Sequence, residues 1–167
     1  YVTFKKRDME RAAVIEEKVD RGRAEAVVAG LQSKEHRYSR QTLDLSSGKP
    51  IGASGAMVLA LVLPECAFLT SLSLRGQKIT DSGAMALAMV LPKCTNLVTL
   101  GLYGNKITDS GATTLTSVLP KCALEELLLD GNQIRSSVQI QLRRGTFKNR
   151  KGKTASVRTD YIENSDY

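Results

Sequence analysis

A block of this chain is written twice with almost no change, 28 residues apart. Leu72-Ser73-Leu74-Arg75-Gly76-Gln77-Lys78-Ile79-Thr80-Asp81-Ser82-Gly83-Ala84 returns as Leu100-Gly101-Leu102-Tyr103-Gly104-Asn105-Lys106-Ile107-Thr108-Asp109-Ser110-Gly111-Ala112. A looser copy runs from Leu43-Asp44-Leu45 through Ile51 to Gly55-Ala56, one residue longer and with Ser47-Gly48-Lys49-Pro50 at its turn. A fourth starts at Leu127-Leu128-Leu129-Asp130-Gly131-Asn132-Gln133-Ile134 and breaks off. Cys66, Cys94 and Cys122 keep the same register, as do Pro64, Pro92 and Pro120. A unit this short cannot bury its apolar face alone, so the repeats must stack into a solenoid, each covering its neighbour.

Within one unit the pattern changes period. Leu72 and Leu74 alternate with Ser71, Ser73 and Arg75, which is the signature of a half-buried strand. Gly76 and Gln77 turn the chain; Asn105 and Asn132 occupy the second of these positions in later units, where an Asn side chain bonds nearby backbone. Asp81 is then expected to cap its own helix, whose inner face carries Ala84, Leu87, Ala88 and Leu91 at i, i+3, i+4 and i+7. Pro92 stops that helix. The expected class is α/β, with parallel strands on the concave side and helices on the convex side.

These residues resemble the leucine-rich repeat family, of the ribonuclease-inhibitor type, in the order Leu-x-x-Leu-x-Leu-x-x-Asn-x-Ile/Leu followed by Asp-x-Gly-Ala. The resemblance implies a leucine-rich-repeat solenoid, a non-catalytic role in binding other proteins, and a eukaryotic source. The repeats span residues 42–142 as about 3.5 units. Residues 1–41 are expected to form an N-terminal helical cap, from the stripe Met9, Ala12, Ala13, Ile15, Val19, Ala26, Val27 and Leu31. A short last helix is expected from a Ser136 cap to near Leu142, and residues 143–167 a basic, extended tail.

The net charge of +7 is concentrated at the ends. Residues 42–134 hold six basic and seven acidic side chains, whereas residues 143–158 hold seven basic ones and no acid. Arg143, Arg144, Lys148, Arg150, Lys151, Lys153 and Arg158 are therefore candidate polyanion-binding residues, able to neutralise phosphates of RNA or an anionic surface in a salt-dependent way. Phe147 is the sole aromatic among them, which argues against sequence-specific reading of bases.

Two other surfaces are candidates for protein contact. On the concave side Arg75, Tyr103 and Asp130 form a column, and Tyr and Arg are common binding anchors. On the convex side, residues 51–63, 82–91 and 110–119 carry no charge at all. A surface helix ordinarily keeps a polar outer stripe. Met57, Val58, Leu61, Val62, Met85, Met89 and Val90 are the positions expected to face outward and to be covered by another protein. The resulting reading is a permanent subunit of a larger hetero-oligomeric intracellular assembly. The alternative is a ribonucleoprotein, ribosome-associated component held to RNA by its basic ends.

Catalytic chemistry does not assemble. Gly152-Lys153-Thr154 lacks the glycine that a phosphate-binding loop requires five positions earlier, where Phe147 stands. His36 is the one histidine and has no Ser or Cys partner in a recognisable motif. Three cysteines in a row along the stack do not converge as metal ligands must, so neither metal nor cofactor is expected. The thiols and the lack of a glycosylation sequon favour a reducing intracellular compartment, cytoplasm or mitochondrion. No apolar run is long enough to cross a bilayer, and the first residues show no secretory signal. A first residue other than Met leaves leader removal and a fragment both open.

Overall fold

The computed structural model describes residues 41–159, together with Gly22 and Ala26 as single helical positions. The remainder of the expected N-terminal cap lies outside the described residues. From Thr42 the chain repeats strand, turn, helix and a short 3-10 turn. The elements are β1 (Thr42–Asp44), α1 (Gly52–Val62), β2 (Ser71–Ser73), α2 (Asp81–Val90), β3 (Thr99–Gly101), α3 (Asp109–Ser117), β4 (Glu126–Leu128), α4 (Ser136–Arg144), β5 (Phe147–Lys148) and β6 (Thr154–Arg158). They form one sheet in the order β1-β2-β3-β4-β6-β5, parallel except for the final β5–β6 pair.

The register aligns equivalent residues of successive repeats: Leu43, Leu72, Leu100, Leu127 and Val157 form one rung-to-rung column. That column points inward and is buried throughout. Leu74, Leu102, Ile79, Ile107, Leu87 and Leu115 complete a core with no accessible surface. Burying each such side chain is worth about 1.5–3 kcal/mol, so the leucine period is the main stabilising term. Pro64, Pro92 and Pro120 each sit inside a one-turn 3-10 segment that follows the helix of its unit. A ring without an N–H cannot continue the α-helical ladder, and the tighter turn redirects the chain toward the next strand.

Buried amides tie one unit to the next. Asn105 Oδ1 accepts from Ile79 N at 3.0 Å, while its Nδ2 donates to Leu74 O at 2.8 Å and Leu102 O at 2.9 Å. Asn132 repeats this with Ile107 N, Leu102 O and Leu129 O. Gln77 keeps the acceptor half, taking Ile51 N at 3.1 Å, but its longer side chain donates to Arg75 O at 3.3 Å. Lys78, directly after it, takes φ 55°, a left-handed backbone that is uncommon outside glycine. The glycine column of the turn, Gly76, Gly104 and Gly131, also has positive φ, and a Cβ on Gly131 would come within 3.2 Å of Gly104 backbone.

The structure corrects the expected helix caps first. Asp81 does not cap its own helix, where Thr80 is the N-cap residue. Its carboxylate reaches one repeat forward: Oδ1 accepts from Thr108 N at 2.8 Å and Gly111 N at 3.2 Å, and Oδ2 from Thr108 Oγ1 at 2.6 Å. It therefore satisfies the first turn of α3, and Asp109 does the same for Arg135 N, ahead of α4. Parallel stacking puts each carboxylate beside the following helix start, so each unit caps the next. Ser136, in turn, opens α4 rather than capping it, and the helix continues to Arg144.

The second correction concerns the basic segment after residue 142, expected as an extended tail. Residues 147–158 form a β-hairpin that completes the sheet. Thr154-Ala155-Ser156-Val157-Arg158 alternates strictly, burying Ala155 and Val157 over the last repeat. The hairpin loop is pinned by buried Asn149, which donates to Ala123 O and Leu124 O and accepts from Lys151 N and Lys153 N. The edge of β4 and the open end of the core are covered together.

Candidate interaction site

The convex side presents an apolar patch built by two neighbouring helices. On α1, Met57 and Leu61 are one helical turn apart and share a face; on α2, Met85 and Met89 stand at the equivalent positions. The helices pack side by side. Leu61 is 75% and Met89 79% exposed, and Met57 and Met85 are each close to half exposed. The absence of charge therefore reflects an accessible apolar surface rather than helices hidden by stacking. Val58 and Val90 are half-buried. Val62 does not join them: it is the last residue of α1, where the chain tightens into the Leu63–Glu65 turn, and it faces the core.

The patch stops at the third repeat. Thr113 and Ser117 replace the Met and Leu/Met pair there. Thr114 and Ser117 hydroxyls donate to Ser110 O and Thr114 O of their own helix. Phe68, in the loop after the first 3-10 turn, is a further half-exposed apolar side chain, one that the helix-based reading of the sequence passed over because it lies outside the helical period. Its signal was its register: Asn96 takes the same place one repeat on, donating from Nδ2 to Ala67 O.

On the concave side the structure joins Arg75 to Tyr103. The guanidinium lies 4.6 Å from the ring centroid, a cation–π contact worth about 0.5–1 kcal/mol at an exposed site. Asp130 follows one repeat later, its carbonyl accepting from Gly104 N at 2.9 Å. Around this column the face is lined by Thr42, Ser71, Thr99, Glu126 and Ser156 in one row and Asp44, Ser73, Gly101, Leu128 and Arg158 in the next. Hydrogen bonds from Ser46 hold the Asp44 carboxyl below its ordinary pKa.

The seven basic residues do not form one free cluster. Arg150 reaches back over the stack, donating to Pro92 O at 3.3 Å and Thr95 O at 3.0 Å, with its backbone N on Cys122 O. Lys153 pairs with Glu125 at 2.6 Å, and Lys148 Nζ meets Thr154 Oγ1. Arg143 and Arg144 occupy the last turn of α4, where cations favour the helix dipole. Arg158 is on the concave face, while Lys151 is exposed in the hairpin loop. At least two of the seven charges are thus engaged by the protein itself.

The thiols are chemically quiet. Burial, followed by the neighbouring thiol, pushes Cys94 and Cys122 up to about 11; burial and then Glu65 raise Cys66 as well. Each Sγ points at the carbonyl four residues earlier, on Val62, Val90 and Val118. Among the described residues no group of His, Cys, Asp or Glu converges as a metal site, and no helix is long and apolar enough to cross a membrane.

A family model described as Leucine Rich repeat matches residues 41–60, 65–88 and 93–115. Among solved structures the chain is similar to Leiomodin-1 Actin-Binding Site 2 (ABS2), with a TM-score of 0.57 and 16% sequence identity over 75% of this chain and 72% of that one. No curated protein matches the sequence.

Proposed function

We propose that this chain, which matches the leucine-rich repeat model over three repeats, is a non-catalytic protein-interaction module whose principal contact is the convex face of its first two repeats. The observation that carries the reading is the set Met57, Leu61, Met85 and Met89, four exposed apolar side chains on two adjacent helices with no charge between them. Contiguous apolar surface of this kind marks interaction sites on soluble proteins, and methionine side chains adapt their shape to an apolar partner. The concave face is the weaker contact. Its rows are short and largely Ser, Thr and Gly, and its one aromatic anchor is already stacked under Arg75. The similar solved structure carries an actin-binding site in its name; at that identity it supports the fold, and the partner proposed here rests on the patch alone. The protein serves as a permanent subunit of a larger assembly, since an apolar patch left in water favours aggregation.

The test compares two variants. Leu61→Lys with Met89→Lys changes only exposed positions and should leave the melting temperature unchanged while abolishing binding of a hydrophobic dye and co-purification of the native complex. Arg75→Ala with Tyr103→Ala should leave both intact. A complex that survives the first variant and is lost in the second would transfer the site to the concave face.

A further inference from the structure

The connection between α4 and β5 carries a chemistry unrelated to docking. It reads Arg143-Arg144-Gly145-Thr146-Phe147. We propose that Thr146 is a phosphorylation site for an arginine-directed serine/threonine protein kinase. Two guanidinium groups stand three and two residues before a hydroxyl, and an apolar ring stands directly after it. Guanidinium groups bind carboxylates bidentately, which lets an acidic kinase cleft select this spacing. In the transfer, Thr146 Oγ1 attacks the γ-phosphorus of ATP, the bond to the β–γ bridging oxygen breaks, ADP leaves, and the hydroxyl proton passes to the kinase's base.

The fold presents this threonine and withholds its competitors. Thr146 is exposed. It follows Gly145, whose backbone has left the helix at φ −64°, ψ 131°, and it precedes a strand that pairs at two positions alone, Phe147 with Ala155 and Lys148 with Thr154. That strand is the outermost of the sheet. Opening this element costs two ladder positions and the half-buried packing of Phe147 on the core, less than opening a central strand, so the segment can enter a kinase cleft in extended form with the last turn of α4 frayed. Thr154 and Ser156 also lie among basic residues, but both are held within β6, Thr154 against Lys148 and Ser156 against Glu126, and neither has an arginine two or three residues before it. Ser136 and Ser137 follow a single arginine, and Arg135 is committed to Asp109.

A phosphate at Thr146 adds about −1.5 to −2 charges just beyond the C-terminus of a helix, where negative charge is unfavourable. The modification therefore acts on the end of the stack and is independent of which face binds a partner. The experiment treats the full chain with cAMP-dependent protein kinase and Mg-ATP and maps the product by mass spectrometry. One phosphate on Thr146 is expected, lost in Thr146→Val and slowed about tenfold or more in Arg143→Gln with Arg144→Gln, while circular dichroism shows all three proteins folded alike. Phosphate placed on Thr154, Ser156 or Ser136 instead, no incorporation into the folded chain, or an equal rate in the arginine variant would overturn the assignment.

Discussion

Replacing Asn105 by Ala isolates the strength of the amide ladder between repeats. Asn105 is buried, and its side chain accepts from Ile79 N and donates to Leu74 O and Leu102 O. In the alanine variant Leu102 O keeps Asn132 Nδ2. Ile79 N, in a residue with no accessible surface, and Leu74 O lose these bonds. An unsatisfied buried polar group costs about 1–3 kcal/mol, so the two together should cost about 2–5 kcal/mol. Asn132 makes the equivalent bonds but is half-buried, and water can replace part of them. Asn132→Ala should therefore cost about 1–2 kcal/mol. Asn105→Gln has a precedent in Gln77, which keeps one acceptor bond and is followed by a left-handed Lys78; it should fall between the wild type and Asn105→Ala. The assay is urea unfolding, with stability read from the midpoint at unchanged slope. A loss below about 1 kcal/mol in Asn105→Ala, or equal losses at Asn105 and Asn132, would refute the reasoning, because the argument turns on buried groups left without partners.

Gly111→Ala should destabilise by about 2 kcal/mol, since a Cβ there would collide with Asp81 Oδ1 and meet Ile107 Cγ2 at 2.8 Å; in an Asp81→Ala background the penalty should shrink, a coupling that a double-mutant cycle reads directly. The backbone N–H and then the side chain of Arg135 hold the Asp109 carboxyl below its ordinary pKa, so its contribution is present above the unfolded carboxylate value and is lost as pH falls through the lowered folded one; Asp109→Asn should flatten the acid limb of the stability–pH curve. Because burial raises Cys94 and Cys122 to about 11 from 9.0, their contribution is intact below pH 9 and declines as pH rises toward 11; thiol reagents at pH 8 should label both far more slowly in the folded protein than in urea. Val157→Asp places a carboxylate in the buried face of β6 and should cost at least about 3 kcal/mol, with faster tryptic cleavage at Arg150 and Lys151 as the readout of a detached hairpin.

Much of this architecture is legible in residue order alone. The leucine column, the turn glycines and the prolines recur at a fixed period, and a periodic chain has one economical way to bury them. The charge-free helices announced the convex patch for the same reason, because exposure of Leu61 and Met89 follows from helical phase. Val62 departs because the 3-10 turn after it changes that phase. Asp81 departs from the expected cap because local spacing does not distinguish a carboxylate that caps its own helix from one that caps a parallel neighbour; only the stacking offset decides. The terminal hairpin was hidden by its charge. Ala155 and Val157 are small beside the five lysines and arginines of the hairpin, so composition suggests a solvated segment, although the alternation across residues 154–158 and a turn glycine, Gly152, are both present in the sequence. Burial of Asn149 gave no compositional sign, since its partners Ala123 O and Leu124 O are backbone atoms.

The two-residue strand β5 sets a boundary on what the molecule can build with copies of itself. A parallel sheet of repeats offers unpaired N–H and C=O groups wherever it ends, and a long flat rim of that sort recruits foreign strands into fibres. Here the rim is reversed in direction, cut to two residues and marked by Lys148. Filament growth by strand addition along β5 is thereby discouraged.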